Sequence, residues 1–507
     1  MNKLPEFKDC IFYEIYPNSF YDSNNDGFGD LKGIKEKLNY IQKLGCNAIW
    51  LNPIYDSPFK DGGYDVRDQY KVSPRFGTNE DLKDLIEDMH SRGMRLFLDL
   101  IPGHMSIENK EFLRSAEPTK NELYDLFIWN DNPWNLENGY RLISGCYDRS
   151  GCYMVNFFAH QPAINYGFNK IEYPSWQKSW KETKQGKEYL EKIMKFWLGF
   201  GIDGFRVDMA NSLVKNDGDD KKATIALWKE IREDLKKDWG KPFYMTSEWS
   251  VPHQAFEAGF DSDFCLDWIT NCTHRLWRQK EDGFDAPLFH KYDEKLYKLF
   301  LENFNYWIKS WKENKNGRIS FISGNHDTAR IANFLDTDEL KLAYLFLLTM
   351  PGVPYIYYGD EIGMHADLSL PSFEGGFQRT GSRTPMRWNC GKNAGFSEAD
   401  HTFLPTNKND STVQREIADD DSLWHTVQSL IQIRKDDEDL RGDDFSLLDG
   451  ILSYRRGKDI IAINLLEDEQ TFSVEKESKI IYSIGHVYLN NGELKLAKHA
   501  GVIIKEK

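Results

Sequence analysis

Short apolar runs alternate with amphipathic stretches along most of this chain. The runs have the length of strands, and the stretches between them repeat apolar residues every three or four positions, which is typical of helices. The predicted strands are 11–17, 48–51, 94–100, 204–208, 243–248, 263–267, 318–323 and 353–358. The predicted helices are 31–45, 79–93, 187–201, 226–237, 297–312, 339–350 and 422–436. Strands that are each followed by a helix predict an α/β fold, a (β/α)8 TIM barrel rather than an open sheet.

Two regions interrupt this alternation. The third strand ends at residue 100 and the next predicted helix begins at 187, a separation far longer than a normal connection, and the part 127–167 is rich in Trp, Asn, Tyr and Gly. We interpret this region as a subdomain inserted after strand 3, over the mouth of the barrel. From residue 443 onward, short β-type runs follow one another without helices, which predicts a C-terminal antiparallel β-sandwich domain. The predicted domains are the barrel (1–103 and 171–442), the insert (104–170) and the C-terminal domain (443–507).

Composition narrows the classes of partner and compartment. The 507 residues are 40% hydrophobic and 28% charged, as in ordinary globular chains, and the net charge of −16 disfavours nucleic acid and anionic lipid as partners. The longest apolar stretch, 342–350, is about half of a membrane span, and the N-terminus shows no signal peptide. Seven scattered cysteines without a CxxC pair favour free thiols in a reducing cytoplasm. Aromatic residues make up 14% and suit both a core and sugar binding.

Carboxylates stand at or directly after the ends of four predicted strands. Taken singly, such an acid caps the following helix. In a barrel of this kind, however, functional groups cluster at the C-terminal ends of the strands, so the acids of strands 4, 5 and 7 are expected to point into one mouth. Several carboxylates in one cleft repel each other, which folds tolerate mainly where chemistry or a metal uses them. The acids are Asp99, Asp208, Glu248 and Asp327, and Arg206, His104 and His326 accompany them.

Two carboxylates in different protonation states are what glycosidic cleavage needs. Arg206 lies two residues before Asp208 on the same strand face and is placed to hold it ionised as a nucleophile. Trp249, next to Glu248, is expected to supply an apolar wall that keeps Glu248 protonated. A metal site made of the same acids is the competing interpretation, although the strands offer two histidines and no CxxC or HExxH spacing.

A second group of oxygen ligands lies in the first loop. Oxygen-bearing residues recur at alternate positions around Gly27, as in the first nine positions of an EF-hand loop, but the twelfth position is Gly33 and not glutamate. The alternative is an acidic Asx-turn without an ion. Because four side-chain oxygens so close together need a counter-charge, we predict a structural Ca²⁺. Its ligands would be Asp22, Asn24, Asp26, the carbonyl of Phe28, and Asp30.

Seven segments in order carry a family resemblance: GYDVRDQY (63–70), DLIPGH (99–104), QPAIN (161–165), GFRVDMA (204–210), SEW (247–249), GNHD (324–327) and GVPYIYYGDE (352–361). The sequence resembles the α-amylase family, glycoside hydrolase family 13, from about residue 12 to 397, and the C-terminal β-domain is in keeping with it. The resemblance implies a retaining mechanism with Asp208 as nucleophile, Glu248 as acid/base and Asp327 as a third acid that grips sugar hydroxyls. It also implies Tyr64 stacked under the sugar ring, with Asp65, His104, Arg206, His326 and Arg383 around it.

Within the family, the loop 22–34 and the segment 382–397 look like the oligosaccharide α-glucosidases and trehalose synthases more than the endo-acting amylases. Asn211 and Ser212 stand where endo-amylases carry Lys-His. Gly103 replaces the asparagine that serves the amylases' calcium site between barrel and insert. In this subgroup valine after the nucleophile accompanies α-1,6 cleavage and smaller residues accompany α-1,4 cleavage, and Met209 is neither.

The resemblance thus implies an exo-acting α-glucosidase of short malto- or isomalto-oligosaccharides, cytoplasmic, a monomer or small homo-oligomer, with no organic cofactor. Its partner would be the α-glucoside oligosaccharide substrate, with no nucleic acid and no membrane. A transglycosylase or isomerase such as trehalose synthase, or an endo-acting α-amylase, would use the same chemistry. A different class is the non-catalytic relative, such as the ectodomain of amino-acid transporter heavy subunits. Those proteins lack the catalytic acids and carry a transmembrane helix, and this sequence shows the reverse on both counts.

Overall fold

The computed structural model describes residues 3–134, 139–266, 271–278, 283–314, 316–407, 410–450 and 452–507. Asp267, the last residue of the predicted sixth strand, lies outside the described residues, as do 135–138 of the predicted insert and Ile451 of the C-terminal region. The strands of the N-terminal part are β1 (Phe12–Ile15), β2 (Ala48–Leu51), β3 (Tyr55–Asp56), β4 (Asp68–Val72), β5 (Arg95–Leu100), β6 (Trp129–Asn130), β7 (Leu142–Ser144), β8 (Cys152–Met154), β9 (Gly204–Val207), β10 (Tyr244–Ser247), β11 (Ser262–Cys265), β12 (Arg318–Phe321) and β13 (Tyr355–Tyr357).

Eight of these strands form one sheet in the order β12, β11, β10, β9, β5, β2, β1, β13. Strands β1 and β13 pair in parallel, and so do β5 with β9, β9 with β10, and β10 with β11. Ile322, directly after β12, bridges Tyr355 of β13 in parallel, so the two ends of the order are joined. The predicted eight-stranded parallel barrel is confirmed. Each predicted strand coincides with one of the eight.

Helices fill the intervals between the strands where the pattern predicted them. They are α1 (Leu31–Glu36), α2 (Leu38–Leu44), α3 (Asn79–Ser91), α4 (Lys110–Ser115), α5 (Gln185–Phe200), α6 (Lys222–Trp239), α7 (Pro252–Glu257), α8 (Cys272–Trp277), α9 (Glu294–Glu313), α10 (Thr337–Thr349), α11 (Val413–Ala418), α12 (Leu423–Asp436) and α13 (Glu438–Arg441). Local chemistry sets their ends. Thr78 and Asp81 form a capping box at the start of α3, and Gly201, at φ 112°, ends α5 in the left-handed conformation that glycine adopts without strain.

The insert and the C-terminal region form sheets of their own. In the insert, β6, β8 and β7 form an antiparallel sheet whose core includes Ile128, Met154 and Phe168. The C-terminal strands are β14 (Ser446–Leu447), β15 (Ser453–Arg456), β16 (Asp459–Ile463), β17 (Gln470–Ser473), β18 (Lys479–Ile484), β19 (Val487–Asn490), β20 (Glu493–Leu496) and β21 (Gly501–Lys505). They form a five-stranded and a three-stranded antiparallel sheet that share a core of Ala462, Leu494, Leu496, Val502 and Ile504. The predicted antiparallel sandwich is confirmed.

By its internal contacts the chain divides into two compact units. The first unit comprises Met1–Ile49, Phe264–Pro371 and Gln378–Lys507, and the second comprises Trp50–Asp263 and Ser372–Phe377. The first contains β1, β12, β13 and the C-terminal sheets, and the second contains β5, β9, β10 and the insert. Within the described part of the chain, no helix has both the length and the apolar character needed to cross a membrane.

Candidate active site

One buried guanidinium gathers three carboxylates in the second unit. Arg206 of β9 places Nη1 2.8 Å from Asp99 Oδ1 and 3.1 Å from Asp208 Oδ1. Its Nη2 lies 2.8 Å from Glu248 Oε2. Burial lowers the pKa of Arg206, but the carboxylates of Asp99 and Glu248 raise it by more. The pKa of Arg206 is therefore well above its ordinary value. Arg206 is therefore a permanent cation that holds the predicted nucleophile and the predicted acid/base together.

The backbone after Asp208 turns sharply to join the two acids. Met209 adopts φ 41° and ψ 45°, a left-handed conformation that is costly for a residue with a side chain. In this conformation its N–H donates to Glu248 Oε2 at 2.9 Å. Within the described part of the chain, the contacts of the Glu248 carboxylate with Arg206 and with Met209 therefore both fall on Oε2.

Trp249, the residue predicted to wall Glu248, has partners of its own in the structure. Trp249 is fully buried, donates from Nε1 to Gln254 Oε1 at 3.0 Å, and packs edge-to-face on Phe260 with ring centroids 6.1 Å apart. The carboxylate of Glu248 contacts the charged Arg206. The sequence could place Trp249 next to Glu248, but not the direction of its ring.

Tyr64 and His104 are fixed by the same second-unit network. The Tyr64 hydroxyl donates to Asp99 Oδ2 at 2.8 Å, and His104 Nε2 lies 3.1 Å from the Tyr64 carbonyl oxygen. Burial raises the pKa of Asp99 to about 6 against the opposing effect of Arg206, and burial lowers the pKa of His104 to about 3. His104 is therefore neutral, with its proton on Nε2 toward the carbonyl and Nδ1 3.4 Å from the Asn156 amide nitrogen.

Asp65 anchors the loop that carries Tyr64. Its carboxylate accepts hydrogen bonds from Ser57 Oγ at 3.0 Å, the Lys60 N–H at 3.0 Å and the Asp61 N–H at 3.1 Å. The side chain is buried, and this burial raises the pKa of Asp65 to about 6 although the hydrogen bonds lower it. Asp65 thus fixes the loop from Ser57 onward.

In the first unit, the predicted third acid has its own set of partners. Asp327 Oδ1 accepts from Arg383 Nη2 at 2.9 Å and from Arg379 Nη1 at 2.8 Å, and its Oδ2 lies 3.3 Å from His326 Nε2. Arg383 also donates from Nε to the His326 carbonyl oxygen at 2.9 Å. The predicted residues Asp327, His326 and Arg383 therefore lie together, and two cations favour the ionised form of Asp327.

Two residues of this first-unit cluster were not predicted. Glu14 of β1 is fully buried, and its Oε1 lies 3.0 Å from Nδ1 of the equally buried His326. A charged residue inside the apolar strand IFYEIYP was the sequence signal for it. For Arg379 the sequence gave a weaker signal, which is its position four residues before Arg383. In the structure both residues lie in one short 3-10 helix.

The predicted calcium loop lies in the first unit and is tightly wound. Asp22 Oδ1 accepts from the Asn25 N–H at 2.7 Å, and Asp22 Oδ2 accepts from the Gly27 N–H at 2.8 Å. Asn24 Oδ1 and Asp26 Oδ1 accept from the N–H two residues further on, both at 2.9 Å, and Asp30 caps α1 through the Gly33 N–H at 2.7 Å. All the side chains of this set offer oxygen, and with the Phe28 carbonyl the set fits the donor chemistry that Ca²⁺ prefers.

A lysine lies near the position where Gly103 departs from the family pattern. A side chain at residue 103 would meet Asn156, because a Cβ there would lie 2.7 Å from Asn156 Nδ2. Asn156 Nδ2 donates to the Gly103 carbonyl at 2.8 Å, and Lys215 Nζ donates to Asn156 Oδ1 at 2.9 Å and to the Ser212 carbonyl at 2.8 Å. Burial, and secondarily Lys221, lowers the pKa of Lys215 to about 8. The Lys215 ammonium group therefore binds the Asn156 side-chain oxygen and the Ser212 carbonyl oxygen close to Gly103.

A cavity of about 370 Å³ lies beside Met209, directly after β9, in the second unit. Its lining includes Met209, Ser212 and Lys215 beside insert residues Tyr140, Asn156 and Phe157. Aromatic rings next to amide, hydroxyl and ammonium groups are a lining that suits a sugar ring.

The match to a family model confirms the resemblance. The description "Alpha amylase, catalytic domain" matches residues 14–443. Among similar proteins, a glucan 1,6-alpha-glucosidase of Streptococcus pneumoniae is 32% identical over 93% of this chain and 94% of its own length. Trehalose synthase/amylase TreS of Mycolicibacterium smegmatis is 30% identical over 84% of this chain and 76% of its own. The crystal structure of the trehalulose synthase MutB from Pseudomonas mesoacidophila superposes with a TM-score of 0.82 at 22% identity and covers both chains fully, which supports the fold. The chain therefore belongs to the α-amylase family, and its barrel is the catalytic domain of that family.

Proposed function

We propose that this protein is a retaining, exo-acting α-glucosidase that cleaves short malto- and isomalto-oligosaccharides. The observation that carries the proposal is the sharing of Arg206 by Asp208 and Glu248. These acids follow β9 and β10, which pair in parallel with Val207 opposite Ser247. Neighbouring strands lie ~5 Å apart, which suits the ~5–5.5 Å carboxyl separation of a retaining pair.

The chemistry proceeds in two displacements. The Asp208 carboxylate attacks the anomeric carbon, the bond from that carbon to the glycosidic oxygen breaks, and Glu248 gives its proton to the leaving oxygen. Water then attacks the same carbon while Glu248 removes a proton from the water, and the bond between the carbon and Asp208 breaks. Because Oε2 of Glu248 is engaged by Arg206 and Met209, Oε1 is the oxygen that carries the transferred proton.

The remaining site residues would bind the sugar at the reacting position. Asp327, kept ionised by Arg383 and Arg379, would accept hydrogen bonds from two sugar hydroxyls. Tyr64 would stack under the ring, held in place by its bond to Asp99. Further polar contacts would come from Asp65, His104, Arg206, His326 and Arg383.

The names of similar proteins support short, α-1,6-linked oligosaccharides within this substrate range. They include two streptococcal glucan 1,6-alpha-glucosidases and the oligo-1,6-glucosidase of Parageobacillus thermoglucosidasius, which is 29% identical over 85% of this chain. The insert after β5 would close the barrel mouth into a pocket, which favours chain ends over polymer interiors.

We also propose that Ca²⁺ binds the first loop through Asp22, Asn24, Asp26, the Phe28 carbonyl and Asp30, and that it stabilises this loop and takes no part in bond breaking. The alternating oxygen-bearing residues of the loop support this proposal. The protein would act in the cytoplasm, as a monomer or small homo-oligomer.

The second candidate is a transglycosylase or isomerase such as trehalose synthase. A sugar in place of water would then accept the glucosyl group from Asp208. The cavity beside Met209 has room for such an acceptor, and a trehalose synthase/amylase is among the similar proteins. The two functions differ in which molecule reaches the intermediate, not in the residues that form it.

A product profile on maltose, isomaltose, trehalose, sucrose and starch separates the candidates. A glucosidase releases glucose from maltose or isomaltose faster than it releases reducing ends from starch. Trehalose formed from maltose, or longer chains, would establish the transferase instead. Faster release of reducing ends from starch would contradict the exo-acting proposal.

A further inference from the structure

A buried carboxylate of the neighbouring strand β11 binds the loop that carries Glu248. Asp263 of β11 is fully buried in the second unit and lies opposite Ser247 in the parallel pairing of β10 and β11. Its Oδ1 accepts from Ser247 Oγ at 2.7 Å, from the Trp249 N–H at 3.2 Å and from the Ser250 N–H at 3.1 Å. One oxygen atom thus binds the residue before Glu248 and the two residues after it.

The loop needs such a partner because its backbone is strained. Ser250 adopts φ 62°, in the left-handed region, which a residue with a side chain keeps only where its surroundings fix it. On the other side, the N–H of Glu248 donates to the Val207 carbonyl of β9 at 3.0 Å. The peptide of Glu248 is therefore held between β9 and Asp263.

Asp263 is an uncommon choice for a merely structural acceptor. Its Oδ2 is buried and accepts no hydrogen bond of standard geometry among the residues that the structure describes, although the Val251 N–H also favours the carboxylate. Burial raises the pKa of Asp263 to about 7, although the bonds from Ser247 and the loop N–H groups lower it. Leaving a carboxylate oxygen without a partner is unfavourable, so this position carries a cost that packing alone does not require.

We infer that Asp263 is a positioning residue for the acid/base: through Oδ1 it fixes the Ser247–Ser250 loop so that the Glu248 carboxyl meets the glycosidic oxygen. This inference rests on the proposed roles of Glu248 and Asp208. It places no requirement on the second oxygen of Asp263, so an amide at this position keeps the function provided that its oxygen accepts the same three bonds.

The test compares two substrates that need the acid to different extents. Isomaltose needs a proton on its leaving oxygen, whereas α-glucosyl fluoride does not, and kcat/KM reports the first, enzyme-glycosylating step for both. We expect Asp263→Ala to lower kcat/KM for isomaltose about 100-fold, which is the lower end of what a positioned general acid supplies, and for α-glucosyl fluoride less than about five-fold. Asp263→Asn should restore most of the isomaltose value.

The control is Asp203→Asn, which alters another buried acid of the second unit. Asp203 binds His90, Arg95 and the Leu96 N–H. These contacts lie at the start of β5, whereas Asp99 lies near its end. Asp203→Asn should lower thermal stability but change both kcat/KM values by the same factor. If Asp263→Ala does not fold, Ser247→Ala removes one donor to the same oxygen and should still lower the isomaltose value selectively.

Equal losses on the two substrates for the Asp263 and Ser247 variants, or an Asp263→Asn variant as poor as Asp263→Ala, would overturn the inference. The proposed function is tested separately by the wild-type protein. If neither isomaltose nor α-glucosyl fluoride glycosylates the wild-type enzyme, the glucosidase proposal fails, and the inference about Asp263 fails with it.

Discussion

At the scale of single residues, Arg206 links the two acids of the proposed mechanism. It binds the carboxylates of Asp208 and Glu248 at the same time, so substitution of either acid changes the charge that it balances. A carboxylate nucleophile and a proton donor have different chemical duties, and variants of the two should therefore fail in different ways.

We predict that Asp208→Asn removes nearly all turnover on every α-glucoside, because no glycosyl-enzyme forms. Glu248→Gln should lower hydrolysis of isomaltose about 10²–10⁴-fold, the usual contribution of a general acid. It should spare the first step on an aryl glucoside whose leaving group needs no proton. Stopped-flow release of the aryl group measures that step. A Glu248→Gln variant without such a burst would contradict the assignment.

Glu361 is a buried acid without a proposed role in catalysis, and its surroundings predict how the stability of the fold depends on pH. Its Oε1 accepts from the hydroxyls of Tyr13 and Tyr40 at 2.7 and 2.6 Å. Burial raises its pKa to about 7 against these two bonds, so its stabilising contribution is complete below the unfolded value of about 4.3 and is lost as the pH rises through 7.

Glu361→Gln stays neutral at all pH values, so its stability should fall less between pH 5 and 8. We expect it to exceed the wild type at pH 8 by about 1–3 kcal/mol in the free energy of unfolding, measured by urea titration. Glu398→Gln, an exposed acid, is the control and should follow the wild type. An unchanged pH dependence in Glu361→Gln would contradict the raised pKa.

At the scale of elements, the first βα loop is the segment whose order depends on an ion in this account. Removal of Ca²⁺ by EDTA should lower the melting temperature of the wild type, because binding at 100 times the dissociation constant contributes about 2.7 kcal/mol. Asp26→Ala should start lower and show no further effect of EDTA. Asp400→Ala, an exposed acid outside the predicted ligand set, should keep the EDTA response. If EDTA changes neither the wild type nor Asp26→Ala, the loop is an acidic turn without an ion.

The elements themselves were largely predictable, for a physical reason. Barrel strands such as β9 and β10 are almost entirely buried, so their apolar runs stand out between amphipathic helices. The hairpin of β19 and β20 was missed because VYLN and ELKL are half exposed and mix polar with apolar residues. Its signal was Asn491-Gly492, with φ 49° and 84°, the pair that a type I′ turn favours.

At the scale of the whole molecule, the sequence indicated the candidate site residues, but not all of the residues that contact them in the structure. The acids at strand ends were identifiable because the fold places strand ends together. Arg379 reaches Asp327 across 52 residues of chain, and no local pattern encodes such a contact. The Trp249 ring likewise contacts Gln254 and Phe260, which its position next to Glu248 in the sequence does not indicate. Family membership, by contrast, was evident because seven segments occur in order.

The central claim is that Asp208 forms a covalent glycosyl-enzyme and that the protein therefore retains configuration at the anomeric carbon. Two inversions at that carbon leave the α-configuration, whereas direct attack by water would leave the β-configuration. Proton NMR of the first sugar released from isomaltose, recorded before mutarotation, measures this directly. The account predicts the α-anomer of glucose. The β-anomer as the first product would contradict it and would remove Asp208 from the role of nucleophile.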